Sequence, residues 1–108
     1  MSEEIPPEGT LIIGPLSMIE DVDDAGCALL GYSKDELVGL HGSELIPPEN
    51  RPAVAATLDR IRHGDFAFVA PAFVMRKGGS VLTVEVTARR LPNNRLALSL
   101  RQKSAGVR

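Results

Sequence analysis

Aromatic residues are scarce in this chain: there is no tryptophan, one tyrosine and three phenylalanines among 108 residues. Few rings are therefore present to stack on a planar ligand. A single cysteine, Cys27, excludes an intrachain disulfide and a CxxC metal pair, and fits a reducing compartment. No apolar run approaches the ~20 residues that a membrane-spanning helix needs. The start Met1-Ser2-Glu3-Glu4 is acidic, unlike the basic start of a signal peptide, so the expected location is the cytoplasm. The formal net charge of −2 gives no general attraction to nucleic acid or to an acidic membrane surface. Arg89, Arg90, Arg95, Arg101 and Arg108 bias the C-terminal third toward basic, which reads as a solvated strand face. No glycine-rich phosphate loop, nucleophile elbow or HExxH motif occurs, and no enzyme is expected.

What is present suits one globular domain. The hydrophobic fraction is 44%, and a chain of this length forms one core without staples. Residues 1–9 carry three glutamates and two prolines and read as a flexible lead-in; residues 10–102 read as the domain and 103–108 as a tail. Thr10-Leu11-Ile12-Ile13, stopped by Gly14-Pro15, and Leu16 to Val22 read as two strands joined by a tight turn. A first helix is expected over about Asp24 to Leu30, with Asp24 as a cap or a turn-holding residue and Gly31 as its end. Ser33 with Glu36 three residues on forms a capping box, and Tyr32 with Leu37 has the spacing of a hydrophobic staple. After one turn at Ser43 to Ile46, Asn50 is placed to cap the longest helix, Arg51 to His63, whose Val54, Leu58 and Ile61 form a buried stripe. Gly64 follows it.

The period then changes. Phe66 to Arg76, Val81 to Leu91 and Arg95 to Gln102 read as three antiparallel strands joined by hairpins at Lys77-Gly78-Gly79-Ser80 and Pro92-Asn93-Asn94. The last two alternate apolar with polar residues, as half-buried strands do. The first is apolar on both faces from Phe66 to Met75. Either it bends or bulges at Pro71, or its outer face is covered by another chain or segment.

Several short motifs stand in one order. A polar residue and Ala precede a short helix ending in Gly31-Tyr32-Ser33, followed by Glu36-Leu37-Val38-Gly39. Pro48-Glu49-Asn50-Arg51, His63-Gly64-Asp65 and Arg76-Lys77-Gly78-Gly79-Ser80 follow. This sequence of motifs, covering about Leu11 to Gln102, resembles the PAS domain family. The family commonly has Asn where Asp24 stands, Asp where Gly78 stands, and an Asp-hydrophobic-Thr triad where Arg101-Gln102-Lys103 stand. The resemblance implies an α+β fold: a five-stranded antiparallel sheet with short helices on one face, the last strand lying mid-sheet beside the first. It implies a sensory or regulatory domain in bacterial-style signal transduction, with its output domain or partner protein outside this chain.

That fold implies a cavity between helices and inner sheet face, walled by Leu45, Ile46, Val54, Leu58, Ile61, Phe68, Val84, Val86 and Leu98. The walls are aliphatic apart from Phe68, so a ligand there would be small and largely apolar. Simple filling of the core is the alternative for each residue. A homodimer or partner interface is expected on the outer face at Val69, Phe73 and Met75. The cofactor is left unassigned. Haem-binding relatives often use a histidine from the long helix, but His63 lies at the helix end, where the dipole favours it, and His41 reads as a solvated turn residue. Flavin is disfavoured because Cys27 lies outside the photoreceptor context and rings are few. Cys27 reads instead as a small packing residue. Glu20, Asp21, Asp23 and Asp24 read as acids at a helix start rather than a cation site. Two readings stand: a ligand-sensing domain, and a ligand-free dimerisation or interaction module using the outer sheet face.

Overall fold

Five antiparallel strands form one sheet in a computed structural model of the chain, which describes residues 8–64 and 68–103 and, for residues 68–70, the backbone alone. The expected lead-in before Glu8, the expected strand start at Phe66 and the expected tail after Lys103 lie outside the described residues. In chain order the elements are β1 (Glu8–Ile13), β2 (Ile19–Val22), α1 (Asp24–Leu30), α2 (Lys34–Leu37), 3₁₀ turns at Gly42–Leu45 and Pro48–Asn50, α3 (Arg51–His63), β3 (Phe68–Met75), β4 (Val81–Leu91) and β5 (Arg95–Gln102). In space the strands run β2-β1-β5-β4-β3. The last strand therefore lies between the first and the fourth, and β2 and β3 are the edges.

Local chemistry explains most of the boundaries. Ser33 and Glu36 form the reciprocal capping box, each side chain accepting the other's backbone N–H. Gly31 ends α1 at φ 80, a left-handed conformation that glycine adopts without a Cβ penalty. Asn93 and Asn94 turn β4 into β5 at φ 65 and 62, which Asn tolerates better than most residues.

Three expectations need correction. β2 begins at Ile19 rather than Leu16, because Gly14 N–H bonds Met18 O and Ser17 N–H bonds Gly14 O, both at 2.9 Å. That turn consumes the intervening residues and leaves Leu16 at its tip, 79% exposed. The cap of α1 is Asp23, not Asp24: its backbone is extended, as a cap requires. Its carboxylate accepts from Gly26 N–H at 2.7 Å and from Thr10 N–H at 3.0 Å, tying the helix to β1. Asn50 makes no side-chain cap, because the 3₁₀ turn Pro48–Asn50 runs directly into α3 and holds Asn50 itself in a helical conformation.

The helix layer sits close to the sheet at one end. A Cβ placed on Gly9 would lie 2.4 Å from Gly26 Cα, so α1 touches β1 backbone to backbone. Ile13, Ile19, Leu29, Leu30, Leu37, Ile61, Val84 and Leu96 are fully buried between the layers. On β3 the register with β4 is continuous from Phe68 opposite Ala88 to Met75 opposite Val81, with Pro71 opposite Glu85. The bulge considered at Pro71 does not occur. β3 is an edge strand, the place in a sheet that tolerates proline.

Candidate functional site

The inward stripe of α3 does not pack flush. Ile61 is 1% exposed, but Val54 and Leu58 are only partly buried. Beneath them a cavity of about 200 Å³ opens between α3, the Gly42–Leu45 turn and the inner sheet face. Ala55 on the helix and Ala72 on β3 also line it, and both are too small to fill it.

Of the expected wall residues, Leu45, Ile46, Val54, Leu58, Val86 and Leu98 line this cavity together. Ile61 does not; it borders an adjoining hollow of about 310 Å³ that also reaches Phe73 and shares Val54, Leu58, Ala72 and Val86. Val84 touches neither hollow and is sealed in the core at 0% exposure. The Phe68 side chain lies outside the described residues. The apolar lining is completed by residues that the sequence reading missed, Leu11 and Ile13 on β1 and Leu100 on β5 among them. Their alternation, and the placement of β5 beside β1, were the available signals.

One end of the cavity is polar. Arg62, in the last turn of α3, lines it with Ser17, His41 and Ser43. Its Nη2 donates to Gly14 O at 2.7 Å and its Nη1 to Ser17 Oγ at 3.3 Å, while Nε is buried without an acceptor. His41 is an exposed turn residue, as expected, and also borders the cavity. Ser43 N–H donates to His41 Nδ1 at 3.2 Å, and Ser43 Oγ lies 2.9 Å from the same nitrogen. At the other end, Arg51 Nε donates to Ile46 O at 2.9 Å. His63 lies off the cavity, with its Nδ1 3.5 Å from an Asp59 carboxylate oxygen.

The remaining candidate groups are committed elsewhere. Glu20 pairs with Arg95 at 3.3 Å and Asp21 with Lys34 at 3.0 Å, while Asp23 caps α1. The Lys34 hydrogen bond, then the Val22 N–H, hold the Asp21 carboxyl below the ordinary carboxylate range. No group of three or more His, Cys, Asp or Glu among the described residues could hold a metal ion. Cys27 packs against the core, partly buried. Burial, then the charges of Asp24 and Asp23, push its thiol pKa up, which disfavours the reactive thiolate.

On the outer face Phe73 is 46% and Val81 51% exposed. Met75, opposite Val81 in register, is partly buried. The Val69 side chain lies outside the described residues. No helix among the described residues is long and apolar enough to cross a membrane.

A family model described as a PAS domain matches residues 7–99. The chain is 37% identical over 70 residues, 64% of its length, to a methyl sulfide methyltransferase-associated sensor of Methanosarcina acetivorans, and spans about 7% of that protein. A solved domain of a sensory box sensor histidine kinase/response regulator from Geobacter sulfurreducens is 30% identical, with TM-score 0.78 over 87% of this chain and 82% of that one. The PAS domain of a LuxR-family transcriptional regulator from Burkholderia thailandensis, solved in complex with ethanol, shares the fold at TM-score 0.75 and 23% identity, over 92% and 91% of the two chains.

Proposed function

The chain belongs to the PAS domain family, the sensor domains of signalling proteins, and we propose that it senses a small, largely apolar ligand held between α3 and the inner sheet face. The observation that carries this reading is the standoff of α3. A helix whose stripe residues Val54 and Leu58 face a hollow of about 200 Å³ forgoes the contacts of close packing. Occupancy restores them, so a ligand favours the conformation that closes on it and shifts the population toward it. Leu98 and Leu100 of the central strand β5 form part of the wall, which gives the sheet a direct report of occupancy. The reading is non-catalytic.

Thermal unfolding across a panel of small metabolites, with native mass spectrometry of the purified protein, tests it. A ligand at a hundredfold its Kd stabilises by about 2.7 kcal/mol, and about 1 kcal/mol moves the midpoint of a domain this size by roughly 4–8 °C. A panel without any shift, together with no co-purified molecule, removes the ligand-sensing reading.

A second reading rests on the outer face, where Phe73 and Val81 stand exposed on β3 and β4. This surface would serve a homodimer or a partner protein and could relay the state of the cavity, since Phe73 also borders the adjoining hollow. Sedimentation of Phe73→Glu beside wild type checks it: weaker self-association in the variant supports the interface, and a wild type monomeric at high concentration rejects the dimer.

A further inference from the structure

The cavity is not uniformly apolar, and its polar end has a sign. Arg62 is cationic at any physiological pH, and its bonds go only to the neutral acceptors Gly14 O and Ser17 Oγ. Its Nε is buried without an acceptor, and no carboxylate among the described residues pairs with it. The one acid on the wall among the described residues, Asp59, has its carboxylate 3.5 Å from His63 Nδ1. Beside Arg62 the wall carries the Ser17 hydroxyl, which accepts from Nη1 and keeps its own proton to donate, and Ser43, whose Oγ lies 2.9 Å from His41 Nδ1. The outcome is a guanidinium with no counter-charge among the described residues, beside the Ser17 hydroxyl and next to walls of Leu11, Ile13, Leu58 and Leu98.

Building on the ligand-sensing reading, we propose that the cavity takes a short-chain carboxylate, its chain among the aliphatic walls and its head group on Arg62. The long 3.3 Å contact from Nη1 to Ser17 is the one that gives way, since a charged acceptor makes a shorter and stronger bond than a hydroxyl. Ser17 is then free to donate to the same head group. Size bounds the chain. An apolar cavity of roughly 150 Å³ holds a benzene molecule, so about 200 Å³ suits an acid of about six carbons. A neutral molecule of equal length fills the apolar end and leaves the cation as it is.

Isothermal titration of the protein with hexanoate and with 1-hexanol separates the two layers of this argument. Hexanoate is expected to bind at least about tenfold more tightly, a difference worth about 1.4 kcal/mol. Arg62→Gln is expected to bring the ratio of the two affinities to about one without abolishing hexanol binding. Equal affinities in wild type, or a hexanoate preference that survives Arg62→Gln, overturns the carboxylate assignment and leaves the ligand-sensing reading standing. If neither compound binds, the carboxylate assignment fails, and the metabolite panel decides the ligand-sensing reading. Should Arg62→Gln not fold, the guanidinium ¹⁵N–¹H resonances of Arg62 in wild type decide: they shift with hexanoate and not with hexanol if the head group sits there, and a lack of shift with hexanoate overturns the assignment.

Discussion

Arg62 Nη2 donates to the carbonyl oxygen of Gly14 at 2.7 Å, joining the last turn of α3 to the turn between β1 and β2. With Ile61 buried one residue earlier, this bond pins one end of a helix whose middle stands over a cavity. The pinning explains how α3 holds its place although Val54 and Leu58 are incompletely packed.

Arg62→Ala is expected to lower the unfolding free energy by about 1.5–3 kcal/mol, the usual worth of a hydrogen bond to a charged group. Urea denaturation monitored by circular dichroism measures it. A variant with the wild-type midpoint would show that the bond does not hold the helix.

Gly9→Ala is expected to destabilise by at least about 2 kcal/mol, toward the upper part of the range for overpacking. The added Cβ would meet Gly26 Cα at 2.4 Å, and backbone cannot turn aside as a flexible side chain can. Gly78→Ala serves as control, since its Cβ meets nothing within 4 Å. Equal losses at the two positions would contradict the close approach of α1 to β1.

Cys27 should react slowly with a maleimide at neutral pH, severalfold more slowly than a free thiol, because burial and the flanking Asp24 and Asp23 raise its pKa. The rate should rise to that of an exposed thiol in urea. Fast labelling of the folded protein would show that Cys27 is a reactive site after all.

Two surface carboxylates set an acid limit. Asp21 is lowered by its hydrogen bond with Lys34 and by Val22 N–H, and Glu36 by its hydrogen bond with Lys77 and by Ser33 N–H. A carboxylate lowered in the folded state contributes its stabilisation above the unfolded-state pKa and loses it as pH falls through the folded-state value. Stability should therefore be level above the ordinary carboxylate range and decline as pH drops through and below it. The decline is shallow, because both groups are solvent-exposed and screened by salt. Comparing urea midpoints across that window for wild type and for Asp21→Asn with Glu36→Gln, the double variant should decline less. Identical slopes would rule out these pairs as its cause.

How far the sequence carried depends on the range of the interaction. The capping box at Ser33 and Glu36, the end of α1 at Gly31 and the boundaries of β4 and β5 are written in neighbouring residues, and each was legible. Arg76 shows what was half legible. Its motif marked a hairpin, but its structural work is distant: Nε donates to Leu29 O at 2.9 Å and Nη2 to Ala28 O at 3.2 Å. That explains why an Arg-Lys hairpin accompanies the Gly31-Tyr32-Ser33 helix end. The two segments meet, and the guanidinium satisfies carbonyls that the short helix leaves open.

The candidate site divides along the same line. Val54 and Leu58 were readable from helical periodicity and Val86 and Leu98 from strand alternation, while Leu45 and Ile46 followed only from the fold that the motifs implied. Val84 shares a face with Val86 yet is sealed in the core, a distinction that depends on where α3 crosses the sheet. His41 and Arg62 were read as a turn residue and a helix-end charge. Their place on the cavity wall follows from the Gly14–Met18 turn folding under α3, a contact between residues more than forty positions apart. No local pattern encodes it.

The central claim is that the hollow beneath α3 is a ligand site rather than a packing defect. Methyl ¹³C–¹H spectra during titration with 1-hexanol test it most directly, because the probe does not depend on the charge of Arg62. The expected result is saturable shifts at Val54, Leu58, Val86, Leu98 and Leu100, with Leu29, Leu30 and Leu37 unmoved. Absent shifts, or shifts spread evenly over the core, would contradict it.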